Sequence, residues 1–192
     1  MRVLYAIFAN GQPWLRLISS ITTYYAARIV CTNQPFATEA GDVPEGTLSL
    51  VISRTVAEGI HEDLDITNYG LSPVRFTFEV ALRSDFADLF EVKSHTFVRR
   101  GRIVTAWHDK RGELHTSYSF RDFDRHFIYR LRNSGSSPAY ANGRITFEID
   151  LEPGATWHAC GDYLLVQGAR IRAPRRSCAP EHHDTAVDEL QR

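Results

Sequence analysis

The sequence predicts an all-β fold, an antiparallel β-sandwich of about 11–12 strands. Two observations predict it. Apolar and polar residues alternate in many short runs, separated by Gly, Pro, Asn and Asp clusters at spacings of about 8–12 residues. No segment holds a 3.6-residue period for three turns.

The elements follow in chain order. Residues 3–9 and 12–19 flank Asn10-Gly11, a strong hairpin signal. Residues 22–32, T-T-Y-Y-A-A-R-I-V-C-T, are β-branched and aromatic and predict a third strand. Pro35, Gly41, Pro44 and Gly46 make residues 33–46 a long loop. Residues 47–56 form a strand that turns at Glu58-Gly59 into 60–67, where Ile60, Leu64 and Ile66 share a face. Asn68-Tyr69-Gly70 turns the chain into 74–82, with Val74, Phe76, Phe78 and Val80 on one side. Further strands are expected at 92–98, 102–108, 113–120 and 125–132. The N-S-G-S-S-P loop at 133–138 follows. Asn142-Gly143 then introduces 144–151, and Glu152-Pro153-Gly154 turns into a last strand near 155–166. The sandwich domain is residues 1–167. Residues 168–192, interrupted by Pro174 and Pro180, form a disordered tail with at most one short helix.

A chain of 192 residues suits one such domain. Its 43% hydrophobic content is globular rather than disordered. A net charge of −1 gives no global field for nucleic acid or an anionic membrane. No run reaches membrane-spanning length, and Val3–Ala9 lacks the features of a signal peptide, so a soluble cytoplasmic protein is expected. Cys31, Cys160 and Cys178 are few, widely spaced and odd in number, so neither a disulfide framework nor a zinc site is expected.

The alternation of 74–82 stops at S-D-F-A-D-L-F-E-V-K, residues 84–93. Asp85, Asp88 and Glu91 are interleaved there with Phe86, Leu89 and Phe90. Paired carboxylates suggest glycosidase acid and base groups, which stand about 5 Å apart in retaining enzymes and about 6.5–9.5 Å in inverting ones. Such pairs normally come from different elements across a cleft. The architectural reading is therefore favoured: Ser84 or Asp85 caps a turn while the aromatic side chains plug the core.

Other candidates weigh similarly. His61-Glu62-x-x-Asp65 lies on a strand pattern and does not reproduce helical zincin geometry. His158 and Cys160 share a strand face, but further metal ligands are not legible. No G-x-S-x-G or phosphate-binding loop occurs. Arg99, Arg100, Arg102, Lys110 and Arg111, with Arg125, Arg130 and Arg132, read as charged sheet edges rather than an anion site. Trp14, Trp107 and Trp157, with Tyr118 and Phe120, read as core rather than sugar platforms. No catalytic residue, metal or cofactor is expected.

Four collinear segments resemble a known family: N-G-Q-P-W at 10–14, S-R-T-V with H-E-D-L-D-I-T-N-Y at 53–69, S-D-F-A-D-L-F-E-V-K at 84–93, and A-N-G-R-I-T-F-E-I-D-L-E-P-G-A-T-W-H-A-C at 141–160. Together they resemble the N-terminal domain of glycogen-debranching-enzyme-like (amylo-alpha-1,6-glucosidase) proteins. The resemblance implies a supersandwich-like β-domain that precedes an (α/α)-barrel carrying the glycosidase carboxylates. It implies a non-catalytic role in framing or supporting that barrel. It makes Asp85, Phe86, Asp88, Phe90 and Glu91 a signature segment of structural or interface character. These 192 residues contain no barrel, and they begin close to the first hairpin. Truncation is therefore expected, with a separately encoded or missing barrel as partner and α-glucan as a second candidate. The alternative is a stand-alone carbohydrate-binding or docking module.

Overall fold

Alternation in the sequence becomes two facing sheets. The computed structural model describes residues 3–86, 93, 101–168, 170–175 and 178. Its strands are β1 (Val3–Ala9), β2 (Gln12–Pro13), β3 (Leu15–Thr23), β4 (Ala26–Thr32), β5 (Phe36–Thr38), β6 (Gly41–Val43), β7 (Leu48–Ala57) and β8 (Gly59–Asn68). They continue as β9 (Val74–Ser84), β10 (Arg102–His108), β11 (Glu113–Phe120), β12 (Phe123–Ser134), β13 (Pro138–Ala141), β14 (Arg144–Leu151), β15 (Thr156–Gln167) and β16 (Arg170–Arg172). The smaller sheet runs β13-β14-β9-β1-β2. The larger runs β10-β11-β12-β15-β8-β7-β4-β3, with β16 beside β15, and β5 and β6 form a separate hairpin. No helix among the described residues is long and apolar enough to cross a membrane.

The core follows from parity. On β9, Val74, Phe76, Phe78, Val80 and Leu82 are all buried. Their register places Phe147 opposite Phe78, Ile149 opposite Phe76 and Ile145 opposite Val80, so two neighbouring strands present one apolar face. Leu48, Leu50, Ile52, Leu64, Ile66 and Ala159 answer from the larger sheet. Trp157 locks the layers, edge-on to Phe78 at 5.7 Å and to Phe147 at 5.1 Å. Edge-to-face pairs of this kind add about 0.5–1.5 kcal/mol beyond area burial.

The all-β sandwich agrees with expectation; the local departures have physical reasons. Asn10 and Gly11 take the positive φ values of a tight hairpin, 46° and 78°. The hairpin nevertheless pairs only Phe8 with Pro13 and Ala9 with Gln12. Trp14 then enters the core, and the chain crosses to the other sheet as β3. The strand expected at 22–32 is split by a turn at Tyr24 and Tyr25, which carries no Gly, Pro or Asn signal. The loop expected at 33–46 contains the β5–β6 hairpin, because Phe36 and Val43 bury there. Asn33 holds its ends together, donating to the carbonyls of Gln34 and Pro44 and accepting from the Leu48 amide. The strand expected at 92–98 lies outside the described residues. The tail is more ordered at its start than expected: β16 takes up the edge of β15 beyond Tyr163, where β8 ends.

Phe78 is fully shielded at the centre of this core. Phe78→Ala is expected to lower unfolding stability by about 3–5 kcal/mol. Urea titration should show a lower midpoint with an unchanged slope.

Candidate functional site

The acidic-aromatic segment begins where β9 leaves its sheet. Ser84 is buried and pairs with Val3. Phe86 follows with φ of 53°, a left-handed conformation costly for a bulky side chain. Its ring stacks on Tyr118 of β11 at 5.5 Å and 20°, packed against the core. The described start of the segment therefore joins the end of the smaller sheet to the larger one. Asp88, Phe90 and Glu91 lie outside the described residues.

Polar residues converge more fully at two other places. The first is inside the sandwich. Glu62 on β8 is completely shielded. Arg54 on β7, its register partner, donates from Nε to one carboxylate oxygen, and the Tyr163 hydroxyl donates to the other at 2.8 Å. The Arg54 guanidinium also lies over the Tyr5 ring at 4.5 Å. Burial opposes the charge on Arg54, but Glu62 outweighs it and the guanidinium is held more firmly protonated. Burial, and then Glu62, push the hydroxyls of Tyr5, Tyr129 and Tyr163 well above the ordinary tyrosine value. An apolar cavity of about 180 Å³ opens beside this centre, walled by Tyr5, Ile60, Phe127, Tyr163 and Leu165. Both oxygens of Glu62 are engaged by protein groups, which suits a structural carboxylate rather than an acid or base for a substrate.

The second place is the outer face of the larger sheet, where a row of ion pairs crosses four strands. Glu113 on β11 meets His115 and Arg130. Burial works against its charge, but His115 and Arg130 overcome this and hold its pKa below the usual carboxylate range. Asp162 on β15 accepts from Arg132 at 2.6 Å and from His61 at 2.8 Å. Burial again opposes its charge, while His61 and Arg132 hold its pKa down. His61 also meets Asp63 at 3.2 Å. Hydrogen bonds to Asp162 and then Asp63 outweigh burial and raise the His61 pKa to about 9. Arg130 and Arg132 are thus partners within a central strand, not an edge guard as the sequence suggested.

The row continues into a sulfur–imidazole–carboxylate cluster. Cys160 and Cys178, 18 residues apart, are joined as a disulfide, where the sequence carried no expectation of disulfide bonding. His158 Nε2 lies 3.2 Å from Cys178 Sγ, and His158 Nδ1 lies 2.7 Å from Asp65. Ligand atoms of Asp63, His158, Cys160 and Cys178 all fall within 4.8 Å of one another. Sequence reasoning paired His158 with Cys160 but missed Asp63 and Cys178. The register supplies the first, setting Asp63 opposite Cys160 and Asp65 opposite His158. The tail supplies the second after crossing β8 at Gly59, where an added Cβ would lie 2.6 Å from the Pro174 backbone.

The aromatic candidates divide. Trp14 and Trp157 are core residues, as expected. Trp107 is half-buried and stacked on Tyr140 at 5.8 Å.

Comparison with known proteins adds a family and a fold. The family described as the N-terminal domain of (some) glycogen debranching enzymes matches residues 2–162. No curated protein matches the chain. Among solved structures, a putative kojibiose phosphorylase from human microbiome superposes with a TM-score of 0.50 at 11% identity. That match covers 76% of this chain and 18% of the phosphorylase, so it concerns fold alone. A polysaccharide lyase superposes at a TM-score of 0.44 and 12% identity, over 83% of this chain and 26% of the lyase. The chain thus spans about a fifth to a quarter of the length of these structures.

Two predictions follow from the ionic centres. Arg54→Met leaves Glu62 buried without its cation and is expected to cost about 3–5 kcal/mol in urea unfolding. The second concerns pH. His61 binds its proton more tightly folded than unfolded, so its stabilisation is complete below the unfolded value of about 6.5. It is lost as pH rises through about 9. Stability should fall by roughly 2–3 kcal/mol across that window, and His61→Gln should remove this part of the slope. A wild-type urea midpoint unchanged from pH 6 to 9.5 contradicts this.

Proposed function

The chain belongs to the family of N-terminal domains of some glycogen debranching enzymes, and from that premise we propose that it is a non-catalytic β-sandwich module that docks against an (α/α)-barrel glycosidase domain. The barrel stands either on the same polypeptide or on a separate one. The module frames the barrel, which supplies the carboxylates that cleave α-glucan.

One observation carries this reading. Every residue of β3 is exposed. The strand nevertheless presents Leu15, Leu17, Ile18 and Ile21, with Ile21 at 82% exposure. Tyr24, Tyr25 and Val56 continue the apolar surface at one end. β3 closes its sheet and pairs only with β4 among the described strands. Its sole charged residue is Arg16, and it lacks the lysines or prolines that ordinarily protect a free edge. An apolar edge of this kind suits coverage by another domain. The carboxylates described above support the non-catalytic half of the proposal, since Glu62, Glu113 and Asp162 are each engaged by cationic neighbours.

The test mixes the purified chain with the (α/α)-barrel domain of the debranching-type enzyme from the same genome. Size-exclusion chromatography should show a complex. Ile18→Asp combined with Ile21→Asp should abolish it while changing urea stability by less than about 0.5 kcal/mol, as for other exposed sites. No complex with the wild type overturns docking. The chain alone should not turn over glycogen or maltooligosaccharides, and turnover that Asp85→Asn or Asp88→Asn abolishes overturns the non-catalytic assignment. Heat on calorimetric titration with millimolar α-glucan, without a complex, transfers the assignment to a carbohydrate-binding module.

A further inference from the structure

We propose that Asp63, His158, Cys160 and Cys178 form a zinc(II) site in the thiol form of the chain, with Asp65 as the positioning residue for the histidine. No part of the debranching reading requires such a site.

The ligand set fits zinc. Two thiolates, an imidazole and a carboxylate make a four-donor shell of the borderline-soft type that zinc prefers. A tetrahedral zinc with bonds of about 2.0–2.3 Å holds its donors roughly 3.3–3.8 Å apart. The four donor atoms already lie within 4.8 Å of one another, so closing the shell needs only small side-chain rotations. The Cα atoms of Cys160 and Cys178 are 6.3 Å apart, a separation that accommodates either a disulfide or two thiolates on one metal.

The neighbours of the bridge are also placed as metal ligands are. His158 is oriented as metal-bound histidines are: Nδ1 is held by a carboxylate, Asp65, and Nε2 points at sulfur. On metal binding, a neutral imidazole that donates from Nδ1 to Asp65 would turn its Nε2 lone pair to the zinc beside Cys178 Sγ. Asp63 approaches from the neighbouring strand as register partner of Cys160. That carboxylate also meets His61 Nε2 at 3.2 Å, and its place opposite Cys160 keeps it within reach of the same metal.

The strands provide three of the four ligands on a rigid platform. Asp63 comes from β8, and His158 and Cys160 come from β15, two positions apart on one face. Only Cys178 lies in the tail. The metal therefore fastens Cys178 to the centre of the larger sheet, and its binding energy adds to the hold on the tail. The chemistry balances simply. A dithiol reductant supplies two electrons and two protons to open the Cys160–Cys178 bridge. Zinc binding then releases those two thiol protons to solvent.

The experiment uses the full chain, reduced with a dithiol, freed of metal with a chelator and desalted without oxygen. Zinc titration against a chromophoric chelator should show one equivalent bound per chain. Cobalt(II) in its place should give tetrahedral d–d bands and a thiolate charge-transfer band. Zinc should also protect the chain from trypsin at Arg172 and Arg175. Cys178→Ser, which lies outside the sandwich core, should lose the stoichiometric binding, the charge-transfer band and the protection. Asp65→Asn should keep the ligands but weaken zinc affinity by roughly 10–100-fold. The proposal is overturned if the reduced chain binds less than stoichiometric zinc, if cobalt shows no thiolate band, or if Cys178→Ser binds as the wild type does. The β3 surface is untouched by these substitutions, so failure here leaves the docking proposal standing, and the reverse also holds.

Discussion

The register of the larger sheet turns on one buried carboxylate. Glu62 has no exposed surface, and removing an ion of this kind from water costs several kcal/mol unless protein groups replace the lost hydration. Arg54 and Tyr163 do so from the strands on either side. They reach Glu62 only if β7, β8 and β15 are aligned as they are. A one-residue slip of β8 would turn Glu62 outward, and with it Leu64 and Ile66 would leave the core. Apolar parity and ionic partnership therefore specify the same alignment. Gly161, opposite Glu62, completes the fit: an added Cβ would lie 2.6 Å from the Tyr129 ring.

The two faces of that sheet divide their chemistry accordingly. Its inner face is mainly apolar, with the Glu62 centre, Asn68 and Thr116 as buried polar positions. Its outer face carries the ionic row from His115 to Asp65, in which Glu113, His61 and Asp162 are nearly buried. Part of the cover is the tail, which lies across Gly59 and is further held by the Arg175–Glu58 pair. A sheet with polar residues on one face normally solvates them. Here Glu113 and Asp162 are buried on that face, and each is met by a histidine and an arginine.

Much of this was legible in the sequence, for reasons that also mark the limit. β9, β14, β7 and β8 announced themselves because each buries one face, so their alternation is strict. Asn10-Gly11 announced a turn because its backbone needs positive φ. The crossing at Trp14 was hidden, since a tryptophan in a strand pattern does not say which of two sheets it leaves. The Tyr24–Tyr25 turn was hidden because neither residue is a turn former. The candidate ligands were half visible. His158 and Cys160 share a strand face by parity, but Asp63 requires the pairing of β8 with β15, some 95 residues away in sequence. Cys178 requires the path of the tail, which no local periodicity encodes. Asp85 and Phe86 stand as a strand exit, and Phe86 stacks on Tyr118 while packing, partly buried, against the core.

The placement of the free edge is the last consequence of this arrangement. From β8, with Glu62 and Asp63, the order to the sheet margin is β7, β4 and β3. At about 4.8 Å per strand, the exposed edge lies roughly 14 Å from the ionic centres. The interactions that specify register and hold the tail are therefore satisfied without β3. Cross-strand stabilisation reaches β3 through β4 alone, and its side chains add nothing to the core. A strand so placed can exchange solvent for a partner without reorganising the sandwich behind it. That is the property the docking proposal requires: a surface offered by strands that are already paired and ordered.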